Sequence, residues 1–448
     1  MSLLDQTVAE MGAEKSGTAG DEDPLEHRIS FQSEEWTAGT DRLGRTIEYR
    51  RFPPRTHAAA TGFHRMNDPR HAIGFMTGTS IDGIDAAVIE ARGYGTSLSA
   101  EIVDHVQEPL GELRPELLAF ARGEPMAAAE ITSMSRRFGQ LHAQVLTRCN
   151  RAGPLTLVAA HGQTVTHAPP DSLQLLDPWP IVREAACPVV HDLRGADLAG
   201  GGAGAPITPR ADAVLFRDHR VGAGTLAIVN LGGFVNVTLL PEPCDADDGL
   251  FVGVEGFDCC PCNHLLDAAA EALLGTPFDV DGGVAMTGTP DETAADRLQG
   301  SVSKLFQAGR SGGDGDEMRE HAIEIARSAA SSADGLATLH RAVASAVIDA
   351  IDSRCDDRGI PRPTRLVLAG GGVRNRRLVT EIEGRADASV CISDALGVPA
   401  QAREAAAMAI LGLLALDGVP ITDPTSTGRR EPPLPAGRWC GPGFVNKA

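Results

Sequence analysis

The sequence predicts an α/β protein of two lobes, each built on a similar unit. Three observations support this fold class. The chain of 448 residues is too long for one hydrophobic core, because single cores stop growing near about 250–300 residues. Two hairpins with glycine-rich tips open residues 71–93 and 225–242. Helical patterns follow each hairpin, so the order of elements repeats. The alternative is two ordinary hairpins without duplication.

The first half opens with "HAIGFMTGTSIDGIDAAVIEARG", residues 71–93. An apolar run that ends at Met76 gives way to a small polar turn and resumes at Ile84, which predicts a strand, a turn and a strand. Apolar residues at helical spacing then predict helices within residues 114–123 and 134–153.

The second half opens in the same way with "TLAIVNLGGFVNVTLLPE", residues 225–242. Helical spacing recurs three times after this hairpin, in residues 263–275, 335–354 and 402–418. The last of these helices is apolar almost all round until Gly418 and Pro420 stop it. We therefore expect it to be buried.

The predicted domain division follows these patterns. Residues 1–68 lack apolar periodicity and are interpreted as a flexible extension without catalytic residues. The first lobe is expected at 69–220, the second at 221–430 and a C-terminal tail at 431–448. Between the lobes, "GGGAGAP" at 200–206 is predicted to be a flexible hinge or substrate loop.

Charge and composition limit the function classes. The formal net charge of −20 disfavours a nucleic acid or an anionic membrane as partner. Lysine occurs at only three positions, and no GxxxxGK[ST] motif is present, which excludes a P-loop mechanism. No apolar stretch reaches about 18 residues and no secretory signal is found, so we expect no membrane span. Nine unpatterned cysteines suit reduced thiols in a cytoplasm.

Three cysteines lie close together in "GFDCCPCN", residues 256–263. A metal site, a redox pair and simple space filling are the possible interpretations. Cys259 and Cys260 are adjacent, so their side chains are expected to point apart on most backbones. Zinc sites usually pair two CxxC-like knuckles, and this spacing disfavours one.

The two hairpin tips carry phosphate-binding chemistry. "GTSIDG" at 78–83 combines hydroxyls, a carboxylate and freed backbone N–H groups, and "NLGGFVN" at 230–236 supplies further glycine N–H groups. Consecutive N–H groups in such turns bind anions, and a nearby carboxylate can hold Mg²⁺. Two such turns in two lobes predict a nucleotide gripped from both sides. Plain hairpin chemistry is the alternative for Asp82 and Asp85.

A third glycine-rich turn, "VLAGGGVRN" at 367–375, follows a predicted strand. Its glycines allow close approach of a ligand to the backbone, which fits an adenosine contact. It is not a dinucleotide-binding fingerprint, because GxGxxG at a first βα turn is missing.

Polar residues also follow two apolar strands, in "LVAAHGQTVTHAP" at 157–169 and "VVHDLRGADLAGGGAGAP" at 189–206. Ligands bind at the carboxyl ends of strands in open α/β sheets. Asp192 is therefore a candidate general base, with Arg194 to keep it ionised or to bind a substrate anion. A structural salt bridge at the strand end is the alternative.

Taken together and in order, five of these segments resemble the anhydro-N-acetylmuramic acid kinases, members of the sugar kinase, Hsp70 and actin superfamily. The resemblance covers about residues 72–430, and the segments that carry it are "GFMTGTSIDGID", "HGQTVTHAP", "DLRGADLAGGGAGAPITP", "NLGGFVN" and "AGGGVRN".

The resemblance implies two lobes of duplicated ribonuclease-H-like fold with a nucleotide cleft between them, ATP and Mg²⁺ as cofactors, and a homodimer. The implied reaction opens the 1,6-anhydro bridge of 1,6-anhydro-N-acetylmuramic acid with water and phosphorylates O6. The product, N-acetylmuramic acid 6-phosphate, belongs to peptidoglycan recycling. Asp192 would activate the water that attacks C1.

The predicted site residues fall into four groups. The catalytic residues are Asp192 and Arg194. The ATP-binding residues are Gly78, Thr79, Ser80, Ile81, Asp82, Gly83, Ile84, Asp85, Asn230, Gly232, Gly233, Gly370, Gly371, Gly372 and Asn375. The substrate-binding residues are His161, Gln163, Thr164, Asp258 and Asn263. The metal ligands are Asp82 and Glu404, although Glu404 equally suits the N-terminus of a helix, where a carboxylate is favoured.

Three segments depart from the family pattern. Cysteines replace Thr, Gly and Gly of the family loop GFDTGPGN, "LQLLD" at 173–177 replaces LQIGD, and the family's KSTGRE-like segment is missing near 300–320. If the replaced glycines take positive φ, cysteines there are strained. The alternatives to the family reaction are therefore a levoglucosan-type anhydrosugar kinase and a catalytically weakened homologue that binds nucleotide or sugar.

Overall fold

The structure is a computed structural model that describes residues 36–40, 46–50, 68–78, 80–244, 249–307 and 318–442. The chain forms two compact units, Met1–Gly62 and Phe63–Ala448. In the first unit, strands β1 (Trp36–Thr40) and β2 (Thr46–Arg50) pair antiparallel. The rest of the predicted flexible extension lies outside the described residues, and that interpretation stays a prediction.

The second unit contains two larger sheets and a short hairpin. Its strands are β3 (Arg70–Met76), β4 (Gly83–Arg92), β5 (Ser99–Pro109), β6 (Leu155–Ala160), β7 (Gln163–Ala168), β8 (Asp171–Leu175), β9 (Val189–His191), β10 (Leu226–Leu231), β11 (Phe234–Leu240), β12 (Glu255–Pro261), β13 (Arg365–Ala369), β14 (Ser389–Ile392) and β15 (Arg438–Cys440).

The two larger sheets repeat one topology. In the first, β3, β4 and β5 form an antiparallel meander, β6 and β9 add parallel to β3, and the order is β15-β9-β6-β3-β4-β5. In the second, β10, β11 and β12 form the meander, β13 and β14 add parallel to β10, and the order is β12-β11-β10-β13-β14. The predicted duplication is confirmed, and among the described strands of these two sheets β15 alone has no counterpart.

Helices connect and cover these sheets. They are α1 (Leu113–Ala121), α2 (Ala128–Arg148), α3 (Trp179–Ala185), α4 (Gly195–Ala199), α5 (Pro209–Leu215), α6 (Arg217–Arg220), α7 (Asn263–Leu274), α8 (Glu292–Gln307), α9 (Arg319–Arg327), α10 (Ser332–Arg358), α11 (Arg376–Glu383), α12 (Arg403–Leu416) and α13 (Pro424–Thr427). The five helices predicted from apolar spacing are all present as α1, α2, α7, α10 and α12.

Local chemistry sets the ends of the longest helix, α10. The Ser331 side chain accepts a hydrogen bond from the backbone N–H of Asp334, which satisfies one free donor of the first turn. At the other end Gly359 takes a left-handed conformation, with φ 64°, that stops the helix at little cost. Most of the middle of α10 is buried in the core of the second lobe.

Helix α12 is buried as predicted, but it packs on the first sheet, in one core with residues of β3, β4 and β6. The division at residue 430 assigned this helix to the second lobe. A Cβ on Gly74 of β3 would lie 1.8 Å from the carbonyl oxygen of Ala405. This close approach brings the start of α12 to the carboxyl end of the first sheet.

The apolar character of α12 therefore comes from burial inside the protein. In the part of the chain that the structure describes, no helix combines the length and the apolarity needed to cross a bilayer.

Candidate active site

Asp192 lies directly after β9, at the carboxyl end of that strand. Its φ of 51° is in the left-handed region, which is uncommon for a residue with a Cβ and is found in binding and catalytic sites. Arg438 contacts its carboxylate, with 2.9 Å between Nε and Oδ2. A Cβ on Gly195 would lie 2.9 Å from the same oxygen, so only glycine leaves room for the carboxylate there.

The predicted residues His161 and Arg194 contact each other. The Arg194 Nε donates to His161 Nε2 at 3.1 Å, and the Gln174 amide lies 2.9 Å from the same nitrogen. Since arginine can only donate, His161 Nε2 is an acceptor and the ring is neutral. Burial and the nearby Arg194 charge hold the pKa of His161 well below its ordinary value.

Arg194 also contacts the glycine-rich loop that follows α4. Its Nη1 donates to the carbonyl of Gly204 at 2.7 Å. Burial lowers the pKa of the Arg194 guanidinium, while the carboxylates of Asp258 and Glu404 act in the opposite direction. These two carboxylates therefore act on the charge of Arg194 although both lie far from it in the sequence.

Glu404 occupies the first turn of α12. Burial raises the pKa of its carboxyl group; Arg403 opposes the rise, Asp85 and Asp212 add to it, and Arg194 also opposes it. A half-buried carboxyl group among other acids is well placed to bind a cation. Both interpretations of Glu404 stand, because it is also near the N-terminus of its helix.

The first hairpin tip is a tight turn between β3 and β4. The Ile81 N–H donates to the Gly78 carbonyl at 3.2 Å, with Ile81 itself buried at a φ of 51°. Ser80 Oγ donates to Asp82 Oδ1 at 2.9 Å, and Asp82 is exposed. Buried Gln163 donates to the Gly78 carbonyl at 3.2 Å, which joins this tip to the start of β7.

The remaining predicted residues of this region have different positions. Gly83, Ile84 and Asp85 lie at the start of β4, where Asp85 accepts a hydrogen bond from Gln107 at 2.6 Å. Thr164 follows Gln163 on β7 and pairs with Gln174 across the hairpin. Thr79 lies outside the described residues.

In the second lobe, the "AGGG" turn packs directly on the "NLGG" turn, because β10 and β13 are parallel neighbours that end side by side. Gly370 has φ 82°, and a Cβ there would lie 2.8 Å from the Asn230 Oδ1. A Cβ on Gly372 would lie 2.7 Å from that of Leu231, whereas Gly371 faces open space. Buried Asn230 Oδ1 has no hydrogen-bond partner among the described residues. These features suit a turn that receives a polar ligand.

The other predicted glycines and asparagines of this lobe lie in two places, at the tip of the β10–β11 hairpin and at the start of α11. Gly232 and Gly233 lie between β10 and β11, and the Gly233 carbonyl accepts the N–H of Cys262 at 2.8 Å. Asn263 Nδ2 donates to the Leu231 carbonyl at 3.4 Å. Asn375 instead caps α11, because its Oδ1 accepts the N–H of Leu378 at 3.1 Å. Its Nδ2 lies 2.8 Å from His340 Nε2, so both ends of this side chain are occupied within the protein.

The cysteine loop forms most of β12. A bulge opposite Val235 and Asn236 inserts Cys259 as an extra residue. As a result the Sγ atoms of Cys259 and Cys260 lie 3.7 Å apart, and the expectation that they point apart is wrong.

These cysteines are part of the core. Cys259, Cys260 and Cys262 are buried and free, and none is among the described non-glycine residues with positive φ. A hydrogen bond with Cys259, together with burial, raises the pKa of the Cys260 thiol, and burial raises that of Cys262. Protonated, buried thiols at ordinary φ fill space in the core of the second lobe, without the backbone strain that positive φ would bring.

The predicted hinge at 200–206 is anchored at several points. Asp197 is buried, and its Oδ2 accepts the N–H of Gly204 at 2.8 Å while its Oδ1 accepts the hydroxyl of Thr427 at 2.9 Å. Gly200 accepts the N–H groups of Arg430 and Glu431, both at 3.1 Å. The C-terminal segment thus holds this loop beside the site.

Sequence reasoning missed three residues of the site. Gln174 was visible as part of the "LQLLD" departure, and Asp197 as a polar residue inside a quoted motif. Arg438 carried no signal, because its contact with Asp192 depends on the pairing of β15 with β9.

Two duplicated sheets, with the candidate site at the carboxyl ends of their strands, define a two-lobed α/β protein of the class that the sequence predicted. Residues 70–436 match the sequence profile of the family described as anhydro-N-acetylmuramic acid kinase. The chain belongs to this family, which confirms the resemblance. The family makes it a phosphotransferase that acts on a small molecule.

Curated relatives agree with this assignment. An anhydro-N-acetylmuramic acid kinase of Synechococcus sp. (strain CC9902) is 34% identical over 373 residues, which cover 80% of this chain and 96% of the relative. One of Streptomyces avermitilis is 36% identical over 378 residues, with 80% and 92% covered.

Solved structures resemble the chain more distantly. A ROK family glucokinase from Streptomyces griseus, in complex with glucose and AMPPNP, has a TM-score of 0.32 and 14% identity, covering 76% of this chain and 98% of its own. The (R)-2-hydroxyglutaryl-CoA dehydratase component A of Acidaminococcus fermentans has a TM-score of 0.39 and 14% identity, with 76% and 96% covered.

Proposed function

We propose that the protein uses ATP and water to convert 1,6-anhydro-N-acetylmuramic acid to N-acetylmuramic acid 6-phosphate. The water oxygen bonds to C1 as the bond from C1 to O6 breaks, and O6 takes the γ-phosphoryl group as ADP leaves. The product would enter peptidoglycan recycling. The observation that carries this proposal is Asp192, which the strand end, Gly195 and Arg438 hold as an oriented carboxylate.

Asp192 is proposed as the general base that takes a proton from the attacking water. Addition of water at an anomeric carbon needs a positioned carboxylate. Arg438 contacts Oδ2 of Asp192, and Oδ1 has no hydrogen-bond partner among the described residues. His161, as a neutral ring held by Arg194, is proposed to orient the sugar together with Gln163, Thr164, Asp258 and Asn263.

The glycine turns are proposed to bind ATP. Phosphoryl transfer depends mainly on positioning and on charge stabilisation, which backbone N–H groups supply without a P-loop lysine. The open face of Gly371 and the unpaired Asn230 Oδ1 fit a nucleotide beside β10 and β13. Gly78, Ser80 and the following residues would approach the phosphates from the first lobe.

Asp82 and Glu404 are proposed ligands of Mg²⁺, which would neutralise phosphate charge. Among the described residues, no group of three acidic, histidine or cysteine side chains forms a metal site by itself. This arrangement fits Mg²⁺, which usually takes one or two carboxylates and completes its shell with waters and phosphate oxygens.

The proposal has two further elements, the cellular compartment and the oligomeric state. The nine free thiols suit a cytoplasmic protein, where ATP is available. A homodimer is proposed on the family resemblance.

One reason for the weakened-homologue alternative was backbone strain in the cysteine loop. Cys259, Cys260 and Cys262 have no positive φ, so this reason for it is removed. A levoglucosan-type substrate differs by the absence of the lactyl carboxylate, and only an assay separates the two sugars.

The test is mass spectrometry of the protein incubated with Mg-ATP and 1,6-anhydro-N-acetylmuramic acid, with levoglucosan in parallel. A gain of one water plus one phosphoryl group on the muramyl sugar is expected. The same gain on levoglucosan alone would reassign the substrate. No product from either sugar while ATP still binds would contradict the proposal and favour a binding protein.

A further inference from the structure

The candidate catalytic residue Asp192 contacts an arginine near the C-terminal end of the chain, Arg438. Residues Arg438–Cys440 form β15, which pairs antiparallel with β9 so that Arg438 lies opposite His191. Arg438 therefore lies opposite the residue that directly precedes Asp192 in the chain. The family match ends at residue 436, so this strand lies beyond the matched region.

A glycine before β15 allows the chain to approach β9 closely. Gly437 has φ 78°, and a Cβ there would lie 2.3 Å from the Cγ2 of Val190 on β9. Next to it, the Trp439 indole N–H donates to the carbonyl of Ala436 at 3.0 Å. Gly437 therefore permits the turn that delivers Arg438 to the strand end.

The Asp192 carboxylate is confined on two sides. Arg438 Nε contacts Oδ2 at 2.9 Å on one side, and the Cα of Gly195 leaves just enough space for both oxygens on the other. The left-handed backbone of Asp192 directs the side chain away from the path of a regular strand. One oxygen is thus held while the other is left to accept a proton.

This ion pair contributes little to folding. The Arg438 side chain is 76% exposed, and exposed pairs have small effects on stability because water screens them. The loss of Arg438 is therefore expected to lower the reaction rate without unfolding the protein, so a change in rate can be assigned to the site.

We propose that Arg438 is a positioning residue for Asp192, and that β15 is a functional part of the first-lobe site. The proposal rests on the proposed function, since it acts through the general base. Arg438 orients the carboxylate so that its free oxygen faces the water that attacks C1. It does not itself take part in the transfer of a proton.

The test compares Arg438→Gln with Arg430→Gln, which removes the same charge from an exposed arginine of the same C-terminal segment. We expect kcat for the anhydrosugar to fall about 100-fold in Arg438→Gln, the size of effect seen when a reacting group is misplaced by about 1 Å. The KM for ATP and the melting temperature should stay unchanged. Arg430→Gln should match the wild type.

Chemical rescue distinguishes positioning from a general structural role. Added guanidinium should restore part of the activity of Arg438→Ala, and Arg438→Lys should retain part of it. Equal kcat in Arg438→Gln and the wild type, or an equal loss in Arg430→Gln, would overturn the proposal.

Crystal structures of the wild type and Arg438→Gln separate this proposal from the proposed function. If the wild type phosphorylates no anhydrosugar, the proposed function fails, but the position of Asp192 still answers the question. A carboxylate displaced by about 1 Å or more in the variant supports positioning by Arg438. An unmoved carboxylate overturns it.

Discussion

The two lobes have the same strand order but differ at the ends of their corresponding strands β9 and β14. After β9, Asp192 takes positive φ, and its carboxylate contacts the exposed Arg438. After β14, the nearest carboxylate is Asp394, whose Oδ2 accepts the backbone N–H of Ala400 at 3.0 Å. A similar position carries a candidate base in one lobe and a loop-stabilising acid in the other. The scaffold therefore sets where chemistry occurs, and the strand-end residues set which chemistry.

A second comparison concerns the crossover helices α2 and α10, which precede β6 and β13. Each buries a histidine whose Nδ1–H donates to the carbonyl four residues earlier: His142 to Phe138 at 2.8 Å and His340 to Leu336 at 2.7 Å. His340 Nε2 contacts Asn375, whereas His142 Nε2 has no partner among the described residues. The corresponding helices of both lobes thus each bury a neutral histidine. Among the described residues, both ring nitrogens have a hydrogen-bond partner in His340, and one does in His142.

The largest effect is expected from Asp192→Asn, which removes the base while keeping the shape of the side chain. The kcat for the anhydrosugar should fall by about 10²–10⁴-fold, the usual contribution of general base catalysis. Nucleotide affinity should change little, because the proposed ATP turns lie elsewhere. Steady-state rates and a nucleotide titration measure both. Substantial remaining turnover would remove Asp192 as the base and with it the contrast between the two strand ends.

Gly370→Ala tests the corresponding region of the second lobe, with Gly371→Ala as matched control. Gly370 has φ 82° and ψ 176°, a conformation that alanine rarely adopts, and its Cβ would approach Asn230. We expect a loss of about 1–3 kcal/mol in the free energy of unfolding and weaker ATP binding.

The control residue Gly371 has nothing within 4 Å of an added Cβ. Denaturant unfolding and nucleotide titration of both variants provide the measurement. Equal losses of stability and of ATP affinity in the two variants would contradict the positive φ and the close packing of Gly370.

The third prediction concerns the pH dependence of stability and the two buried helix histidines, His142 and His340. Burial lowers the pKa of His142 to about 4, below the ordinary value of 6.5, so the unfolded chain binds the proton more readily than the folded one. Stability from this group is therefore complete above about pH 6.5 and is lost as pH falls toward 4. At pH 5 the loss is about 2 kcal/mol.

Urea unfolding at pH 7 and pH 5 measures this loss in the wild type and in His142→Gln. The variant should show a shallower fall between the two pH values. His340→Gln sharpens the comparison, because burial also lowers the pKa of His340, although its loss removes the Asn375 contact as well. An unchanged pH dependence in His142→Gln would contradict the assignment of a neutral buried ring.

Local sequence patterns predicted much of the fold. Both hairpins, the helices α1, α2, α7, α10 and α12, and the duplication itself follow from apolar spacing and glycine-rich turns. These features depend on neighbours along the chain, which a sequence displays directly. The predicted site residues stay predictions of role, although the structure places His161 in contact with Arg194, and the carboxylates of Asp258 and Glu404 act on the pKa of Arg194.

Long-range contacts were beyond sequence reasoning. The packing of α12 on the first sheet, the contact of Gln174 with His161 and the fully buried ion pair between Arg403 and Asp212 each join distant segments. The bulge that brings Cys259 against Cys260 depends on the register with β11, which no local pattern reveals.

The sequence by itself determined the class of the protein, since its glycine turns, strand-end acids and family motifs recur in order along the chain. Only the tertiary structure decided which residues complete the candidate site. The pairing of β15 with β9 brings Arg438 to Asp192, and the packing of α12 on β3 places Glu404 where its charge acts on the pKa of Arg194. Both placements depend on burial and on strand register, which local sequence preference does not select.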